Sequence, residues 1–137
     1  DNGGMIINYP EQHIANGRKK NSDTNHHYKK MVRIMKKMRY LMEDSYITAY
    51  SSAAKNVSSF MLESLLWNIE DSWYLTNCGI YRKVYAFDQL IELLRNHKTD
   101  FFRYTEANGI KPLCPATNDY TNLCSFLDQL ALFYEYE

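Results

Sequence analysis

A chain of 137 residues with 45% hydrophobic and 15% aromatic content can bury a single core, and that composition excludes wholesale disorder. Its formal charge is zero at pH 7, and no apolar run approaches the roughly 18 residues that a membrane span needs. Three cysteines, Cys78, Cys114 and Cys124, lack metal-ligand spacing and read as small buried hydrophobes in a reducing, cytoplasmic setting.

In chain order, Asp1-Asn2-Gly3-Gly4 is a hairpin-turn signal, and Met5-Ile6-Ile7 follows as a short strand. Nothing later offers that strand a good partner, so it reads as the last hairpin arm of another domain. Its bare edge is expected to be disordered or to pair with a second copy. Pro10 suits the first turn of a helix ending near Asn16-Gly17, with Gly17 as a left-handed cap. Ser22, Asp23 or Thr24 then caps a second helix. Its apolar residues Tyr28, Met31, Val32, Met35, Met38 and Met42 recur at helical spacing, while Lys30, Arg33 and Lys37 share the opposite stripe.

Residues 45–56 lack periodicity and read as a connection. Ser58 is an N-cap signal for Phe60, Met61, Leu62, Leu65, Leu66 and Ile69, which are apolar on most of the circumference and so belong to a central helix. Ile80, Val84, Phe87, Ile91 and Leu94 predict an amphipathic helix ending near Asn96. Phe101 to Asn108 reads as a short helix stopped by Gly109, and Lys111 to Pro115 as extended chain. Tyr120, Leu123, Cys124, Leu127, Leu130, Ala131 and Tyr134 form the last stripe. The expectation is all-α: a bundle of about five helices with a short N-terminal strand.

The neutral total hides an uneven distribution. Residues 18–39 hold nine basic side chains and one acid, a formal +8, whereas residues 40–137 hold seven basic and thirteen acidic, a balance of −6. Charge of that density attracts polyanions such as triphosphates or nucleic acid, although a solvated helix face would look the same.

Catalytic signals are largely missing from the sequence. It has no phosphate-cradling Gly-rich loop, no nucleophile elbow, and no Asp-x-Asp pair after a Gly-Ser turn. His26 and His27 are adjacent, and on a helix they point roughly 100° apart, so they cannot chelate one ion from their own helix.

Asn8-Tyr9-Pro10, His13, Asn16-Gly17, Lys20-Asn21, Thr24-Asn25, Lys30, Val32-Arg33 and Ser58-Ser59-Phe60 with Glu63 occur here in order. This series resembles the C-terminal half of bacterial cGAS/DncV-like nucleotidyltransferases, relatives of oligoadenylate synthetase. The likeness is strongest over residues 5–69. It implies that residues 1–8 are a remnant strand of the catalytic palm and that residues 9–137 form the helical lobe that closes over a nucleotide. The parent enzyme would use Mg²⁺ and a nucleoside triphosphate to make oligonucleotide signals for antiviral defence. The metal-binding carboxylates of that palm have no counterpart here, so the chain alone is expected to bind no Mg²⁺ and to be catalytically silent. The palm domain and a nucleoside triphosphate are the implied partners, with no membrane.

Through the resemblance, Lys30 matches a lysine that touches the donor triphosphate, Ser59 a serine on a phosphate oxygen, and Phe60 an aromatic that stacks on the base. Arg33, Lys20 and Asn25 are further candidates. Read without it, Lys30 is solvated, Ser58 or Ser59 is a plain cap, Phe60 is core, and Thr24-Asn25 caps a helix. Two other functions stay open: a stand-alone nucleic-acid-binding module using residues 18–39, and a protein-interaction bundle.

Overall fold

The computed structural model describes residues 9–80 and 83–135. Seven α-helices and one 3₁₀ helix account for most of them, with no strand beyond a single isolated bridge, so the fold is all-α with more helices than expected. The strand expected at Met5–Ile7 lies outside the described residues.

Helix α1 (Pro10–Asp23) starts at Pro10, as the missing N–H of proline favours, but does not stop at Gly17. It runs on for another six residues. Glycine ends a helix when it turns left-handed; here two side chains hold α1 to the rest of the molecule on either side of Gly17. Asn16 donates to the Ala107 carbonyl (2.9 Å), and Lys20 donates to the Ile69 carbonyl and pairs with Asp71 (2.7 Å). The left-handed residues come later, at Asn25 (φ 53°) and His26 (φ 67°), and they reverse the chain into α2 (His27–Glu43). Of the three expected caps, Thr24 takes part: its buried hydroxyl oxygen accepts the Tyr28 N–H (3.1 Å), while Asn21 accepts that of Lys29 (3.1 Å).

Helix α2 is the hub. Tyr28, Met31, Val32, Met35 and Met42 are buried along its expected stripe, and it packs on α1, α3 (Thr48–Lys55), α4 (Ser59–Trp67), α5 (Asp71–Ile80) and α7 (Thr117–Glu135). Residues 45–56 are therefore not a plain connection. Most of them form α3, which docks through Ala53 and Ala54 and through Tyr50, whose ring meets Phe133 edge-on. Two alanines permit close approach without producing an apolar stripe that sequence would reveal.

Ser58 caps α4 as expected, accepting the Met61 N–H (3.0 Å), and Leu62, Leu65 and Leu66 are fully buried. Helix α5 was not anticipated. Its anchor is Tyr74, fully buried, which donates to the Leu66 carbonyl (2.6 Å) and meets Tyr28 edge-on. Helix α6 (Lys83–Asn96) buries Phe87, Ile91 and Leu94 as expected and packs on α7; the side chains of Ile80 and Val84 lie outside the described part.

The segment expected as a helix over Phe101–Asn108 divides. Residues Lys98–Arg103 form the 3₁₀ helix, and residues 104–113 form a small hairpin closed by Glu106 N–H to Lys111 (2.8 Å) and Leu113 N–H to Tyr104 (2.9 Å). Its tip needs Gly109, because φ there is +74° and a Cβ would lie 3.3 Å from the Asn16 amide nitrogen. Three side chains fasten the hairpin: Asn16, Asn68 through both of its amide atoms to Thr105, and buried Ser64, which accepts the Ala107 N–H (3.0 Å). Ser64→Ala strands that N–H in a buried position, and a loss of about 1–3 kcal/mol is expected on urea unfolding. A change below about 0.3 kcal/mol, within the range of ordinary surface substitutions, would contradict it.

Candidate nucleotide-binding face

The start of α1, the start of α4 and the hairpin meet around a cleft of about 450 Å³. Tyr9, Pro10, His13 and Ile14 line one side, Phe60 another, and Glu106, Asn108 and Lys111 the third. Phe60 is 43% exposed, unusual for a phenylalanine at the start of a buried helix, and its ring stacks on that of His13 (centroids 4.9 Å apart, planes 26° apart). His13 Nε2 lies 3.3 Å from one Glu63 oxygen; the other oxygen takes Lys36 Nζ at 3.0 Å. His13 Nδ1 is buried with no hydrogen-bond partner among the described residues.

Ser59 is the first residue of α4 and is half-buried; its hydroxyl makes no hydrogen bond among the described residues. Ser58 claims the Met61 amide through its side chain and the Leu62 amide through its carbonyl, which leaves the Ser59 and Phe60 N–H groups without a partner among the described residues. Glu63 follows Ser59 by one helical turn, so Lys36 is drawn to the Ser59 side of α4. Sequence reasoning had passed over Lys36.

The other candidates sit as follows. Lys30 is half-buried and has no ion-pair partner among the described residues. It precedes Lys36 by six positions, about 120° around the helix and about 9 Å along it. Its charge is felt at Cys78 on α5, where burial nevertheless pushes the thiol up to about 11. Burial, together with the Lys30 charge, holds the His27 imidazole below its ordinary value. Arg33 is exposed and unpaired among the described residues, on the same side of α2 as Lys36. Lys20 is committed to Asp71 and Ile69, with the Tyr74 ring 5.5 Å below its ammonium, so the structure holds it as a tether. Asn25 is exposed, and its backbone makes the left-handed turn.

The basic segment divides in the same way. Lys19, Lys20, Lys36 and Arg39 have acidic partners, whereas Arg18, Lys29, Lys30, Arg33 and Lys37 have none among the described residues. All three cysteines are free, with Cys114 buried and Cys78 and Cys124 half-buried; burial also pushes the Cys114 thiol up to about 11. Among the described residues no three His, Cys, Asp or Glu side chains converge on one point. No described helix is long and apolar enough to cross a membrane.

The described residues thus form an all-helical unit with a cationic face and a stacked surface aromatic. Residues 15–135 match the model of the cGAS/DncV-like nucleotidyltransferase C-terminal helical domain, and the chain belongs to that family. It is 38% identical over 136 residues to a cyclic GMP-AMP synthase, CdnE03, of Staphylococcus schleiferi, covering 99% of this chain and 40% of that protein. It is 36% identical over 114 residues to a cyclic dipyrimidine nucleotide synthase of Legionella pneumophila, covering 82% of this chain and 35% of the relative. A cyclic dipurine nucleotide synthase of Elizabethkingia meningoseptica is 33% identical over 111 residues, with 80% and 35% covered. The chain thus spans less than half the length of these relatives.

Proposed function

We propose that this chain is the helical lobe that holds a nucleoside triphosphate against the palm of a cyclic-oligonucleotide synthase. The observation that carries the reading is the exposed Phe60 ring, backed by His13, at a helix N-terminus with two unclaimed amides and a free serine hydroxyl. A base can stack on Phe60. A phosphate can take the Ser59 hydroxyl and the α4 amides, where the helix dipole favours negative charge. Lys36 adds a point charge once it exchanges Glu63 for a phosphate oxygen, and His13 keeps that carboxylate from being stranded. Arg33 and Lys30 supply a wider positive field. Residues 9–135 do this work, while metal chemistry belongs to the palm, which would sit in the same cytoplasmic protein and make signals for antiviral defence.

Titrating ATP into the chain while following backbone amide shifts tests this. Shifts should centre on His13, Ser59 and Phe60, with a Kd on the order of millimolar because the lobe supplies part of the site. Lys36→Ala should weaken binding more than Lys30→Ala does. Lys98→Ala should change nothing, since Lys98 pairs with Asp128 on α7. Shifts confined to residues 85–135 would refute the site.

The five cations of residues 18–39 that lack an acidic partner among the described residues favour a second reading, nucleic-acid binding along α1 and α2. A single-stranded oligonucleotide that bound far more tightly than ATP, with a steep salt slope, would make it the better one.

A further inference from the structure

The third wall of the cleft is the hairpin of residues 104–113. Glu106 and Lys111 both line it, each half-buried, and the hairpin joins them through the Glu106 N–H to Lys111 carbonyl bond (2.8 Å). Despite that closeness their side chains form no ion pair, and Lys111 has no acidic partner among the described residues. Asn108 fixes the Glu106 carboxylate: its amide donates to Oε1 (2.9 Å), while its own oxygen accepts the Ile110 and Lys111 N–H groups (2.7 and 2.9 Å). Glu106 Oε2 has no partner among the described residues. A rigid acceptor and a free donor therefore line the same cleft as the Phe60 ring.

We infer that the hairpin reads the base edge and selects guanine: Glu106 accepts the guanine N1–H and N2–H donors, and Lys111 donates to the O6 keto oxygen. This rests on the nucleotide reading above and adds the identity of the base. Guanine alone presents two adjacent N–H donors beside a keto acceptor, a pattern that a carboxylate next to an ammonium matches. Adenine offers the carboxylate one amino group and no keto oxygen. Cytosine offers one amino group. Uracil offers a single imide N–H flanked by two keto oxygens, one of which the carboxylate would repel.

The test is parallel titration of the chain with GTP, ATP, CTP and UTP, followed through the Ser59 and Phe60 amides. GTP should bind about tenfold more tightly than ATP, as expected when a charged hydrogen-bonding pair is satisfied or left unmet. Glu106→Gln should remove most of that preference, lowering GTP affinity toward that of ATP. Lys111→Met, which keeps the aliphatic stem and leaves the hairpin's backbone bonds in place, should lower the preference in the same direction. Equal binding of all four triphosphates, or a Glu106→Gln variant that weakens all of them alike, would overturn the base assignment and leave the nucleotide site standing. If no triphosphate moved the Ser59 and Phe60 amides, both would fall.

Discussion

Tyr28→Ala should destabilise the fold by about 3–5 kcal/mol, the cost of deleting a large, fully buried aromatic, read from urea unfolding. Tyr28 does more than fill space. Its hydroxyl donates to the Glu63 carbonyl (2.9 Å) and its ring meets Tyr74 edge-on (6.0 Å), so one side chain of α2 touches both α4 and α5. Burial, with the nearby Glu63 charge, pushes the phenol far above its ordinary range, so the hydroxyl stays a donor wherever the protein is folded. Tyr28→Phe keeps the packing and should cost only about 1 kcal/mol. Equal losses for the two variants would show that the hydrogen bond, not the packing, dominates.

Phe60→Ala should weaken triphosphate binding about tenfold or more with little change in stability. A base–aromatic stack is worth about 1–3 kcal/mol, and the Phe60 ring is too exposed to contribute much to the core. Phe60→Tyr preserves the face and should bind as the parent does. The amide-shift titration with ATP measures both. An unchanged affinity in Phe60→Ala, with the fold intact, would remove the ring from the site.

What the sequence revealed follows from how each element is buried. Helices α2, α4, α6 and α7 bury long apolar side chains at regular spacing, so periodicity exposes them. Helix α3 buries Ala53 and Ala54, and among the described side chains of α5 only Tyr74 is fully buried; neither makes a stripe. Gly17 carried a stop signal that Asn16 and Lys20 override through contacts with residues 91 and 49 positions away. The start of α4 at its Ser58 cap was legible because a helix start is a local event, whereas Ser59 and Phe60 were singled out only through the family resemblance. The grouping of His13, Glu63 and Lys36 joins three helices and leaves no local pattern. One signal for the hairpin was present and read only as a stop: Asn108-Gly109 is a turn dipeptide.

The fastening of residues 104–113 has a mechanical consequence. Asn16, Ser64 and Asn68 pin the hairpin to α1 and α4, the two helices that supply the opposite sides of the cleft. Its width is therefore set before any ligand arrives. A mould of this kind cannot tighten by local rearrangement without breaking buried hydrogen bonds, so a guest meets fixed walls and loses little affinity to ordering them. Any closing stroke in a larger enzyme would have to carry this unit as one rigid body, with hinges outside the pinned segment.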